Sequence, residues 1–165
     1  MKRKVFLLLL GLVIGLSASQ SMAQLRFGGG INFGSYYHLG IDIRGEYNLT
    51  DDLILAPKVD IGPSFKYGFS YLTEICAHVH YLVYKEDVIA VYPLAGLTLK
   101  NYFDLDPSPF DVDLNFGFGF SFGGGVQFEF TDTMTAFGEA RYTTGNYHQG
   151  MLTAGIIYTP ETREQ

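Results

Sequence analysis

A chain of 165 residues with 11 Lys and Arg against 17 Asp and Glu, a net charge of −6, has no basic face to offer a nucleic acid. Its single cysteine excludes an internal disulfide, and beyond the N-terminus no stretch approaches the roughly 20 apolar residues of a membrane-spanning helix. What remains is an aromatic- and glycine-rich composition, with 14 Phe, 12 Tyr and 20 Gly but no Trp.

The N-terminus opens on Lys2, Arg3 and Lys4, runs apolar from Val5 to Leu16, and leaves through Ser21-Met22-Ala23. A basic start, about a dozen apolar residues and a small-x-small exit describe a cleavable signal peptide over residues 1–23. Without that segment's three basic residues, 8 Lys and Arg face 17 acids, a net of −9. The rest, residues 24–165, suits one domain.

From there the dominant pattern is alternation, the signature of half-buried strands. Leu25 to Ser35 is the first. In Leu39 to Leu49 the odd positions are apolar, except Gly45, and the even ones carry Asp42, Arg44, Glu46 and Asn48. Thr50-Asp51-Asp52 reads as a tight turn. Leu53, Leu55, Val59 and Ile61 then alternate with Lys58 and Asp60 in a strand reaching Phe65. Tyr71 to Val83 puts Ile75, Ala77, Val79 and Tyr81 opposite Glu74, Cys76, His78 and His80. Lys85-Glu86-Asp87 is the next turn. Val88 to Lys100 is a strand whose facing the pattern does not settle, followed by a loop over residues 101–111.

The clearest alternation is Leu114 to Phe122, where Phe or Leu alternates with Asn, Gly and Ser, continuing through Val126, Phe128 and Phe130 with Gln127 and Glu129 opposite. After Thr131-Asp132-Thr133, Met134 to Thr143 carries Glu139 and Arg141 on one face, and Gln149 to Thr159 closes the series. The expectation is an all-β fold: an eight-stranded antiparallel up-and-down barrel. Tight turns at 50–52, 85–87 and 131–133 alternate with other connections, the longest at 101–111. That is the layout of transmembrane barrels, with the tight turns and both termini on the periplasmic side.

A soluble barrel also alternates, with its apolar face inside. Here one face collects Asp42, Arg44, Glu46, Lys58, Asp60, Glu74, Glu129, Glu139 and Arg141, while the other is nearly free of charge. Eight strands enclose a lumen just wide enough to be filled by side chains, so the charged set is read as a luminal network plugging the barrel. Arg44, Lys58 and Arg141 would pair with Glu46, Asp60, Glu74, Glu129 or Glu139. Aromatics agree with a membrane setting. Tyr47, Tyr81, Phe128 or Phe130, and Tyr158 end strands running toward the tight turns, with Tyr37, Tyr71 and Phe118 about ten residues upstream. Ten residues at ~3.3 Å, tilted about 40°, rise roughly 25 Å, the height of the apolar band between aromatic girdles.

Gly123-Gly124-Gly125-Val126-Gln127-Phe128-Glu129-Phe130-Thr131-Asp132 and Ala136-Phe137-Gly138-Glu139-Ala140-Arg141-Tyr142 give the chain a family likeness. It resembles the small bacterial outer-membrane β-barrel proteins, the group that includes the membrane domain of outer membrane protein A. The resemblance spans the mature chain. Thr153-Ala154-Gly155-Ile156-Ile157-Tyr158 matches part of the family's C-terminal assembly signal, though Pro160 and the polar tail from Glu161 to Gln165 depart from it. It implies a place in the cell outer membrane, contact with outer-membrane lipid and with the barrel-assembly machinery, and specificity carried by the loops.

Function is expected to be structural or one of surface interaction, with an envelope or surface partner met through loop aromatics such as Tyr102, Phe103, Phe110 and Tyr147. No nucleic acid, cofactor or catalysis is expected. Some small outer-membrane barrels modify lipids, and their deacylases carry a His-x-Ser pair. Here His38, His78, His80 and His148 are followed at that spacing by Gly, His, Leu and Gly. A lipid-modifying enzyme, and a soluble periplasmic barrel binding a small apolar ligand, are the alternatives. His78 and His80 could reach one zinc ion with a carboxylate from a neighbouring strand, but two histidines in a polar lumen are the plainer reading. The triple glycines at 28–30 and 123–125 lie inside strand patterns with no helix after them, and so are not phosphate loops.

Overall fold

The computed structural model describes residues 25–35, 38–64, 70–104, 115–146 and 148–160. The expected signal peptide, Tyr37, Phe110 and Tyr147 lie outside the described residues. Among the described residues the regular structure is all strand: β1 (Leu25–Gly34), β2 (His38–Asn48), β3 (Leu53–Ser64), β4 (Ser70–Tyr81), β5 (Tyr84–Glu86), β6 (Ile89–Asp104), β7 (Asn115–Thr131), β8 (Met134–Gly145) and β9 (Gln149–Tyr158). Every pairing is antiparallel. β1 lies between β2 and β9, and the β4–β6 pairing closes the ring. β5 prolongs β4 along β6, so the wall has eight staves.

The expected topology holds, and its departures have local causes. β4 stops at Tyr81 rather than Val83. Its pairing with β6 ends at His80↔Leu94 and resumes one residue out of step at Tyr84↔Val91. Opposite that bulge stands Pro93, which has no N–H to give to a ladder. Lys85 and Glu86 therefore lie in β5, and the turn falls on Asp87 and Val88, with Asp87 at φ +46°. The ladder between β2 and β3 also skips the stretch at Pro57, between Arg44↔Lys58 and Tyr47↔Leu55. The loop expected from Asn101 starts later, because β6 runs on to Asp104. Tyr102 and Phe103 are thus strand residues, paired with β7 or β4. At Thr50 the hydroxyl accepts the Leu53 and Asp52 amides (3.1 and 3.4 Å), which shapes that tight turn.

The facing of each strand is sharp. Ile31, Phe118 and Ile43 are 66%, 59% and 58% exposed, whereas Glu46, Asp60 and Glu74 are at 0%. The usual arrangement of a protein in water is inverted: the apolar side chains point out and the charges point in. In β6, Tyr92, Leu94, Thr98 and Lys100 face the lumen while Val91, Leu97 and Leu99 face out.

Candidate functional site

The lumen is a layered lattice of ion pairs. Near the tight-turn end, Arg26 of β1 donates to Glu46 of β2 and to the Gln127 Oε1 of β7 (3.3 Å). The Gln127 amide donates in turn to both Glu46 oxygens at 3.2 Å. At mid-height the Arg44 guanidinium grips two carboxylates at once. Nε and Nη2 donate to Asp42 (2.7 and 3.1 Å), and Nη1 and Nη2 donate to the two oxygens of Glu139 (2.5 and 2.9 Å). This is the bidentate geometry that a planar guanidinium favours. Lys58 Nζ lies 3.3 Å from Asp42 and 3.4 Å from Glu139, and the Tyr92 hydroxyl donates to Glu139 at 2.9 Å. Phe137 lies flat beneath the Arg44 guanidinium, 3.8 Å from Cζ to ring centre.

Toward the other end, Arg141 takes the place of Arg44. Its Nη2 donates to Asp60 (2.6 Å) and Glu74, and its Nη1 reaches the Cys76 thiol sulfur at 3.0 Å. Lys100 meets Glu74 and Gln149, both at 2.8 Å, and Asn32 donates to Asp60 at 2.7 Å. Level with Cys76, Thr98, Ser121 and Thr143 are linked hydroxyl to hydroxyl at 2.6 and 2.8 Å. Among the described residues the buried charges balance. Arg26, Arg44, Lys58, Lys100 and Arg141 stand against Asp42, Glu46, Asp60, Glu74 and Glu139. Ions so deeply buried persist only when paired and hydrogen-bonded, because each alone would carry an uncompensated desolvation cost.

Glycines make this packing possible where a side chain would collide with it. A Cβ on Gly125 would stand 2.6 Å from the Tyr92 ring and 2.9 Å from Glu139 Cγ, and one on Gly96 would stand 2.7 Å from the His78 ring.

Of the charged residues named from the sequence, Asp42, Arg44, Glu46, Lys58, Asp60, Glu74, Glu139 and Arg141 meet in the lumen. Glu129 keeps their inward parity, paired in register with the buried Thr135, but it lies beyond the lattice, exposed at the tight-turn mouth beside Arg26 and Gln127. Arg26 and Lys100 were missed. Arg26 shares its parity with Asn32 on β1, a signal the intervening glycines dilute, and the facing of Lys100 was obscured by Pro93 and Gly96.

His80 stacks on Tyr92, with ring centres 4.4 Å apart, and its nitrogens stand 3.7 Å from Glu139 and 4.0 Å from Glu46. Both ring nitrogens of His78 lack a hydrogen-bond partner. Among the described residues one group of side chains is close enough to share a metal ion: Asp60, Glu74 and Cys76. It includes neither histidine, and the Arg141 guanidinium bonds to all three of its members.

The family model for the outer membrane protein beta-barrel domain matches residues 6–159. The chain belongs to that family. Its place is the outer membrane, and the apolar face of this outer-membrane barrel is the lipid-facing one, which overturns the soluble periplasmic alternative. No curated protein is similar enough in sequence to match. Among solved structures, neisserial surface protein A is 19% identical with a TM-score of 0.64, over 82% of this chain and 96% of that one. The N-terminal β-barrel domain of Pseudomonas aeruginosa OprF is 20% identical with a TM-score of 0.59, over 83% and 98%. Ail of Yersinia pestis, solved with the heparin analogue sucrose octasulfate, is 11% identical with a TM-score of 0.60, over 82% and 96%. At such identities the likeness is one of fold.

Proposed function

We propose that this outer-membrane barrel is a structural or surface-interaction protein, its lumen closed by the charge lattice, with no catalytic role and with specificity carried at the loop end. The observation that carries this is the lattice itself: Arg44 and Lys58 reach Glu139 across the lumen, and Arg141 reaches Asp60 and Glu74, between the neighbouring-strand pairs Arg26–Glu46 and Lys100–Glu74. An eight-stranded wall leaves little more than side-chain volume inside, so such a lattice blocks a continuous water path. Each of its five carboxylates is held by a buried Arg or Lys. Assembly would pass through the barrel-assembly machinery, reading the final strand β9.

At the loop end, the connection over residues 105–114 carries Asp106, Asp111 and Asp113, and Asp104 ends the strand before it. That charge favours a basic envelope or surface partner over a sulfated sugar of the kind bound by Ail. Conductance across planar lipid bilayers tests the closed lumen. The purified protein should give no steady ion current, and a stable open pore would overturn the reading. Fatty acid released from purified lipid would instead restore the enzyme alternative.

A further inference from the structure

At the tight-turn end the charge lattice forms the floor of a cup. Beyond Arg26 and Gln127 the barrel opens into a polar cavity of about 210 Å³, lined from every side of the ring. Ile54, Leu82 and Ala90 make one side of it apolar, contiguous across β3, the end of β4 and β6. The remaining staves are polar, and two buried atoms there are unmatched. Arg26 lines the cup at only 8% exposed, and its Nε–H has no acceptor among the described residues. Asn48, its diagonal inward neighbour on β2, also lines the cup, and its buried Oδ1 has no donor among them. Buried polar atoms are ordinarily paired, so this site suits a ligand with an acceptor and a donor on neighbouring atoms. At the rim Asp51, Glu129 and Asp132 stand against Lys85 alone, all four exposed and in no ion pair among the described residues. Arg26 is already neutralised by Glu46, so the cup carries a net charge of −2.

We propose that this cup binds the amino end of a peptide: an α-ammonium, the carbonyl beside it and an aliphatic first side chain. The ammonium donates to Asn48 Oδ1 and stands among the rim carboxylates, while the carbonyl oxygen accepts from Arg26 Nε. The side chain then lies against Ile54, Leu82 and Ala90. Charge selects this occupant, since the rim repels anions and gains less from a free amino acid, whose net charge is zero. Size limits the seat to one residue: at ~30 Å³ per water the cup has the room of roughly seven waters, or one aliphatic residue. The open side takes the rest of the chain. Tight turns face the periplasm in barrels of this kind, so the partner is a periplasmic protein with a free, extended N-terminus. This contact lies at the opposite end from the loops and does not depend on what they bind.

Leucinamide is the probe, because it carries the ammonium, the carbonyl and the side chain and nothing more. It is titrated into the folded barrel in micelles, with isoleucine methyl groups labelled for NMR. The Ile54 methyl should shift saturably, while those of the outward Ile31 and Ile43 stay in place. N-acetylleucinamide, which lacks the charge, should not bind, and leucine should bind about tenfold more weakly than leucinamide. Glu129→Gln with Asp132→Asn leaves Asp51 and Lys85 in balance and should weaken leucinamide about tenfold. Both positions are exposed, and the fast-migrating unboiled form verifies that the variant folds. Glu86→Gln removes an exposed charge at the same end but outside the cup, and should change nothing. The proposal is overturned if Ile54 does not respond, which leaves the cup to solvent, or if N-acetylleucinamide binds equally well. It is overturned too if leucine matches leucinamide, which makes a free amino acid the occupant, or if Glu86→Gln weakens binding as much as the cup variant.

Discussion

Replacing Glu139 by Gln puts the luminal lattice to its sharpest test. Glu139 accepts from Arg44 and Tyr92 and lies within 3.4 Å of Lys58, all of them buried. Glutamine keeps the size and can still accept from one donor, but it withdraws one of five buried negative charges and leaves Asp42 alone between Arg44 and Lys58. Removing one partner of a buried ion pair costs about 3–5 kcal/mol, two to three orders of magnitude or more in the folding equilibrium. Urea unfolding in lipid vesicles, followed by the gel mobility of unboiled samples, would read that loss directly. Glu129→Gln supplies the contrast, since Glu129 is exposed and should shift stability by no more than about 0.5 kcal/mol. Adding Arg44→Met to Glu139→Gln should recover part of the loss, because the surplus cation leaves with its partner. If Glu139→Gln fell within about 1 kcal/mol of wild type, or cost no more than Glu129→Gln, the lattice would be a by-product of packing and not a stabilising network.

Three further outcomes follow from the same geometry. Gly125→Val should destabilise the barrel by about 1–3 kcal/mol in the urea assay by forcing Tyr92 and Glu139 from their places, whereas Gly138→Ala should be close to neutral. Phe122→Arg, outward and near the middle of β7, should cost about 2–4 kcal/mol in lipid, against at most about 1 kcal/mol for Phe130→Arg at its end. Cys76, the sole thiol, is buried beneath Arg141 and Thr98, so maleimide labelling of the folded protein should proceed only as fast as the barrel opens. Prompt labelling would place water where the lattice is drawn.

Strand number, order and most facings were legible because alternation has a period of two residues and a lipid wall tolerates few exceptions. The misreadings have local causes. Pro93 and the bulge opposite it hid the parity of β6, and with it Lys100. Glu129 keeps the parity of Gln127 but lies past the last buried level, at the open tight-turn mouth. The extension of β6 past Asn101 was masked by the Asp- and Pro-rich segment that follows.

The partners of the luminal charges were not legible, and the reason is geometric rather than chemical. Arg44 lies on β2 and Glu139 on β8, 95 residues apart in the chain, and Arg141 reaches Glu74 across 67. Neither pair sits on neighbouring strands. They meet across the lumen, and which positions share a level there depends on the stagger accumulated around the whole ring. Charge balance, however, does not depend on stagger. A narrow, desolvated lumen must come close to neutrality whichever carboxylate faces whichever guanidinium. On that ground a set with Arg44, Lys58 and Arg141 as its only cations was already incomplete beside six acids, and two more cations had to be sought on inward positions. Arg26 and Lys100 supply them, and Glu129, at the solvent-exposed mouth, lies beyond the desolvated set.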